Sequence, residues 1–552
     1  MRSFIDFKGG NSMIGKCCVV AALLFAGAAA AKTSTTLDVP IVVTHGTGLP
    51  CTGKQVITDA STYAVGAPIT VTTCGGAGNP LDWVTISGEA YGLGGGYLGK
   101  YAKYLGVNTS GATVTLLYPQ ANFDRDLVSH IDWFSNDTYS WIASSAPFII
   151  QKSINPAAPL ATLPVSEAAD PFVPDHVITV CSTGCTYTSL GDATQSAYEA
   201  GWDNVQIKIS SGEYQYPALT LGGSYPPNLW IKGIGTTMPH IWGTTTTSGS
   251  IIGSTNGYAS GSLTVDNLDL GPWNGWIMNT KDGRTVTLRN DYIRDGAQGY
   301  ITGNTVDFTA NFYNVVFARN GGGNGPEHNV YIGEGNNGNV VNVKNSVFEQ
   351  PITGHAFKER AKFFNASCSM FIVNEDDVFM GSETIDMDSG QPNLTNNLSV
   401  NSGGSGATNS NQNSWDSMRF AVDYETGQSL KQPIVKNNIF LADQADSRHW
   451  FFTFGERITS PPAVFSDNKW VWHDAGTRAA GVDGSDATGA LYVLHSGVIT
   501  DIQLDGTNSF FNDRASAGFP AIGSFPKGWR DYLPLMPAAC KDPIGLVAVP
   551  PS

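Results

Sequence analysis

Between Glu327 and Gly390 the chain carries three segments rich in groups that do chemistry: E-H-N-V-Y-I-G from Glu327, G-H-A-F-K-E-R-A from Gly354 and E-T-I-D-M-D-S-G from Glu383. His328 to His355 is 27 residues and His355 to Glu383 is 28; Tyr331 to Lys358 is 27 and Lys358 to Asp386 is 28; Arg360 to Asp388 is 28. In a solenoid of that period the three segments lie side by side as neighbouring strands, about 4.8 Å apart. Strand alternation then sorts the side chains. Val330 and Ile332, Phe357 and Ala361, and Ile385 and Met387 suit the interior. Asn329, Tyr331, Lys358, Arg360, Asp386 and Asp388 therefore face out. Glu359 shares the parity of Phe357, an inward carboxylate that alternation leaves unexplained. His328, His355 and Glu383 stand near strand starts, where direction is open.

This cluster could cleave an acidic polysaccharide. β-Elimination at a uronic acid needs a group to neutralise the sugar carboxylate, a base for the C5 proton and an acid for the leaving oxygen. The Arg360 fork matches a carboxylate. Lys358 serves as base if its cationic neighbour lowers its pKa, and Tyr331 or His355 serves as acid or alternative base. Asp386 and Asp388 could orient Lys358 and Arg360 or hold Ca²⁺, although a Ca²⁺ site takes six to eight oxygens and only two or three are in view. Glycoside hydrolysis is the rival chemistry. Asp386 and Asp388, two apart on a strand, have Cα atoms about 6.5 to 7 Å apart, near the lower edge of the roughly 6.5 to 9.5 Å carboxyl separation of inverting enzymes. Substrate contacts are expected from His328, Asn329, Glu383 and Arg319, and from Trp273 and Trp276 as stacking platforms in G-P-W-N-G-W. The plain alternative is a ladder of exposed ion pairs, Lys358 with Asp386 and Arg360 with Asp388, contributing about 0 to 1 kcal/mol each.

The elements that must hold these groups are short strands. The chain has 552 residues, 63 of them glycine, and only 14% are charged. Many short β-like runs separated by turn residues argue for an all-β protein. A net charge of -16 argues against nucleic acid as a partner. It also suits an acidic polymer poorly unless basic groups are concentrated locally. Between Lys281 and Lys362 nine Lys/Arg stand against eight Asp/Glu, so that region is near neutral.

An Asn following one β-like run and preceding another recurs at Asn267, Asn290, Asn314, Asn345, Asn374, Asn396 or Asn397, Asn437 or Asn438, and Asn468. Asn tolerates left-handed backbone and can bond along a stack of identical turns. Steps of 23, 24, 31 and 29 from Asn267 to Asn374 suit coils of three short strands. The prediction is a right-handed parallel β-helix over 177–475. A strand, a short helix around Gly191 to Gly201 and a strand ending in G-E-Y would cap its start.

The cap (I-T-V … Y-T-S-L … I-S-S-G-E-Y) and the x-N-x-x-F ladder resemble the pectate-lyase-like superfamily of β-helix proteins. The H-N-V-Y-I-G … G-H-A-F-K-E-R-A pairing resembles a group of exported bacterial β-helix proteins with a G-H-x-x-K-x-R-A segment. The resemblance covers about 300 residues. It implies the fold; for function it spans lyases, hydrolases, esterases, epimerases and adhesins. The D-P-H-D segment of alginate epimerases and the N-T-D and G-H-G segments of polygalacturonases do not occur here.

Outside the solenoid, residues 1–31 read as a secretory signal, basic residues before the apolar run Cys17 to Ala30, so the protein is expected to be secreted or periplasmic, with no membrane association after cleavage. Residues 32–152 read as a small β-sandwich-like domain, 153–176 as a Pro-rich linker, and 476–552 as a C-terminal cap and tail against the helix end. Residues 401–416 read as a flexible insertion between coils. Export permits disulfides: Cys181 with Cys185, Cys51 with Cys74, and Cys368 with Cys540 or both free. The overall expectation is a monomeric polysaccharide lyase, with a glycoside hydrolase, or a non-catalytic glycan-binding or adhesive surface protein, as alternatives.

Overall fold

The computed structural model describes residues within 53–151 and 170–540, leaving out several stretches, among them 304–306, 322–326, 334–337, 374–379, 382–384, 388–389, 402–415, 421–431 and 473–491. The expected signal segment, Cys51 and most of the expected Pro-rich linker lie outside the described residues.

Three long parallel sheets run the length of the main body. The first, of 12 strands, starts at His176–Val180 and ends at Ile502–Leu504; the second, of 11, runs from Glu213–Tyr216 to Ser509–Phe511; the third, of 10, runs from Thr220–Leu221 to Tyr492–Leu494. Each coil gives one strand to each sheet, so the chain winds as a right-handed parallel β-helix. The ladder extends past residue 475, where the sequence suggested that it stopped. Period-2 alternation points one side chain of each pair inward, and equivalent residues of successive coils stack. Phe317, Phe348 and Phe371 lie in register on the second sheet and stack ring on ring at 5.3 and 5.2 Å.

The corner between the first and second sheets is a two-residue turn. Its first residue is left-handed at Asn267, Asn290, Asn314, Asn345, Asn396, Asn437 and Asp467, with φ between 52° and 62°. The Asn repeat thus marks a real backbone requirement. In the coil where Asn374 was expected to play this part, Cys368 does so instead, with φ 50°, and Asn374 lies outside the described residues. The disulfide from Cys368 to Cys540 occupies that turn. The second turn residue faces inward and accepts from the equivalent backbone N–H of the coil before. Ser369 N–H donates to Asn397 Oδ1 (3.0 Å), Asn397 N–H to Asn438 Oδ1 (2.8 Å), Asn438 N–H to Asn468 Oδ1 (2.9 Å) and Asn468 N–H to Asn508 Oδ1 (3.0 Å). Buried turn donors are satisfied this way from coil to coil.

The start of the helix is covered as predicted, by Leu190–Glu199, whose N-cap Ser189 accepts from Asp192 N–H. Upstream, strands between Gln55 and Ile150 form an antiparallel three-stranded sheet and a mixed sheet that share one apolar core, including Val71, Ile86, Ile131, Trp133 and Phe148.

The C-terminal segment differs from expectation. Trp529 to Cys540 lie along the outer face of the second sheet rather than across the end of the solenoid. Trp529, Tyr532, Leu535 and Met536 build a second apolar core with Val316, Val347, Met370, Ile372, Leu398 and Val400. Charged groups underlie this strap. Glu349 Oε2 accepts from Trp529 N–H at 2.8 Å, and burial pushes the Glu349 carboxyl up to about 6. Cys181 with Cys185 is the second described disulfide, and Cys74 is disulfide-bonded as well.

Candidate functional site

The third sheet carries the candidate site. Tyr331 pairs with Lys358, and Lys358 with Asp386, as the 27- and 28-residue spacing predicted. The register continues to Arg419, a residue the sequence reading missed. Its signal was S-M-R-F, in which a charged residue stands between the apolar Met418 and Phe420. A step of 33 residues from Asp386 hid it, longer than the 27 and 28 residues of the steps before.

Alternation holds around Lys358: Phe357 and Ala361 belong to the core and are 0% exposed. The predicted exposure does not hold. Lys358 is 6% and Arg360 8% exposed, so these cations are withdrawn from solvent and an exposed ion-pair ladder does not describe them. Arg360 lies over the Tyr331 ring, its Cζ 5.5 Å from the centroid, a cation–π contact strengthened by desolvation. His328 and His355 stack at 4.7 Å and 10°, and His328 also stacks on Tyr331 at 5.7 Å. His328 Nδ1 accepts from the His355 backbone N–H at 2.9 Å. That bond leaves Nδ1 without its proton, so neutral His328 carries its proton on Nε2. Tyr331, Lys358, Arg360, His328 and His355 thus form one continuous patch.

Glu359 points inward, in register with Ile332 and Met387, and is 0% exposed. Its Oε2 accepts from Ala361 N–H at 2.7 Å. The carboxylate therefore braces the turn behind Arg360, which accounts for the parity that alternation left open.

Other expected site residues are placed elsewhere. Asn329 faces inward: its Oδ1 accepts from Asn320 N–H and Nδ2 at 3.1 and 3.0 Å, and its Nδ2 donates to Glu349 O at 2.9 Å. Arg319 forms two hydrogen bonds with Asp295, at 2.9 and 3.1 Å, at the end of a second-sheet strand. That pairing is structural; it holds Asp295 below the usual carboxylate range against burial. Trp273 is fully buried in the core and donates from Nε1 to Gly249 O at 3.1 Å, so it is no platform. Trp276 is half-buried, with Lys281 Nζ 5.8 Å from its ring centroid. Glu383 and Asp388 lie outside the described residues, as does the side chain of Asp386. Among the described residues no group of three or more His, Cys, Asp or Glu could hold a metal ion, and no helix is long and apolar enough to cross a membrane.

No protein-family model matches the chain, and no curated protein matches it. Among solved structures it is similar to a family 28 exopolygalacturonase of Yersinia enterocolitica, at 11% identity over 86% of this chain and 98% of that one, with a TM-score of 0.20. An overlap that weak carries no argument about this chain's chemistry.

Proposed function

We propose that the protein cleaves a uronate-containing polysaccharide by β-elimination on the outer face of its third sheet. The observation that carries this reading is the withdrawal of two cations, Lys358 and Arg360, beside Tyr331 and two stacked histidines. A pair of cations withdrawn from bulk water beside a tyrosine ring and two imidazoles suits an anionic ligand that takes the place of that water. In this mechanism the Arg360 guanidinium takes the uronate carboxylate. Neutral Lys358 Nζ removes the C5 proton, the electron pair forms the C4–C5 double bond and the C4–O4 bond breaks. O4 takes a proton from the Tyr331 hydroxyl or from His355.

A second reading is hydrolysis at the same place. It is favoured by the backbone register of Asp386, a carboxylate residue between Lys358 and Arg419 on the same sheet. A panel of acidic and neutral polysaccharides separates the two. β-Elimination raises the ultraviolet absorbance of an unsaturated uronate, and Lys358→Ala abolishes it. New reducing ends without that absorbance, lost in Asp386→Asn, mean hydrolysis. Retention on a glycan with no cleavage leaves a binding protein.

A further inference from the structure

Upstream of the patch, the same face of the third sheet repeats part of its chemistry. Thr280 pairs with Thr302, Ile301 with Tyr331, and Ile332 with Glu359. One residue beyond these positions stand Lys281, Gly303, Gly333 and Arg360. A Cβ at Gly303 would meet Lys281 Cα, Cβ and Cγ at 3.4 Å, so glycine and lysine are direct neighbours. The column therefore reads cation, glycine, glycine, cation, a floor without side chains between two positive ends. Each end cation lies by an aromatic ring: Lys281 Nζ is 5.8 Å from Trp276, and Arg360 Cζ is 5.5 Å from Tyr331.

Two amides stand on the coils between. Asn279 is in register with Ile301, and Gln298 with Trp276; Gly299 N–H, next to Gln298, donates to His328 O at 3.3 Å. Asn279 is 7% and Gln298 2% exposed. Asn279 Oδ1 and Gln298 Nε2 are buried and have no hydrogen-bond partner among the described residues. A buried amide acceptor and donor left unmet are costly in a folded protein, and sugar hydroxyls offer both complements.

We infer that Trp276, Asn279, Lys281 and Gln298 form a second acidic-sugar subsite, three coils upstream of Arg360. Trp276 stacks on a ring, Lys281 takes its carboxylate, and Asn279 and Gln298 take hydroxyls. The cations stand about 14 Å apart, three strand spacings, with only glycine between them in that column. The ligand this fits is a run of contiguous uronates lying along the helix axis, not a neutral chain with an isolated acidic sugar. The inference rests on the polysaccharide reading above.

The test measures affinity electrophoresis and cleavage of the full-length protein on polygalacturonate and alginate, with dextran as neutral control, and on uronate oligomers of increasing length. For the acidic polymer that wild type cleaves, Lys281→Gln weakens retention about tenfold, and its effect on KM grows with oligomer length while kcat changes little. Trp276→Leu, with thermal unfolding to confirm folding, shows the same length dependence. If wild type cleaves the polymer and Lys281→Gln changes neither retention nor KM at any length, the subsite is overturned and the cleavage reading stands. If wild type neither binds nor cleaves any acidic glycan, the underlying reading falls and the subsite with it.

Discussion

Asn329 and Tyr331 are two residues apart, yet the first faces inward and the second outward. Strand alternation places them together, but it applies only once a strand has begun. Asn329 precedes the strand Val330–Ile332, where the chain bends out of the second sheet and consecutive residues can both turn in. The same holds one coil on, where Ala356 and Phe357 are both core residues. Asn329 therefore supports the site from behind. Asn329→Ala is expected to lower stability by about 1 to 3 kcal/mol, since it strands Asn320 donors and the Glu349 carbonyl; urea unfolding measures it, and a changed KM with unchanged stability would contradict the inward role. Arg360 makes the opposite prediction. Arg360→Lys keeps charge and loses the planar fork and ring stacking, so kcat/KM on the acidic substrate should fall at least about tenfold with the fold intact by circular dichroism.

At the scale of elements, the second sheet carries a ladder of buried charge over its first coils. His240 lies between Glu213 Oε2 and Gly271 O, each 2.6 Å from a ring nitrogen. Both neighbours accept, which suits a doubly protonated ring. Burial opposes that charge, and Arg294 does too, but the Glu213 hydrogen bond and the pull of Asp269 outweigh them and raise the pKa. The stability this provides is complete below the unfolded value of about 6.5 and is lost as pH rises through the folded value. Glu349, held up to about 6 by burial, acts in the same direction: folding favours its protonated form, so its contribution fades as pH rises from about 4.3. Asp295, held low by Arg319 and Arg294 against its burial, sets the other limit, with stability lost as pH falls below about 3.9. The melting temperature should therefore peak in mild acid and decline from pH 6 to 8, and His240→Gln should flatten the upper part of that decline. A melting temperature that rises across this range would refute the charged state assigned to His240.

For the whole molecule, the strap from Trp529 to Cys540 closes the outer face of the second sheet, and its tie to Cys368 spans 172 residues of sequence. Such a crosslink restricts the unfolded chain and is worth about 2 to 4 kcal/mol. Cys540→Ser should lower stability by that order and expose the strap to limited proteolysis, while the parallel ladder keeps its far-ultraviolet signature. An unchanged digestion pattern under reducing conditions would show that the apolar contacts of Trp529 and Tyr532 suffice.

The coil period was legible without coordinates because neighbouring coils use turns of nearly constant length. Equal spacing along the chain then becomes adjacency in space, and Tyr331, Lys358 and Asp386 could be aligned by counting. The left-handed turn marks itself with Asn for the same local reason, except at Asp467 and at Cys368, where a disulfide-bonded residue takes the place. Arg419 escaped because a step of 33 residues breaks the count. What only tertiary structure decided is burial and cover: that Lys358 and Arg360 are withdrawn from water, that Asn329 turns inward, and that Trp529 reaches Glu349 across 180 residues. Periodicity records which residues share a column. A contact made by a distant, non-repeating segment leaves no period behind, and the direction of a side chain at a bend depends on the two sheets that meet there.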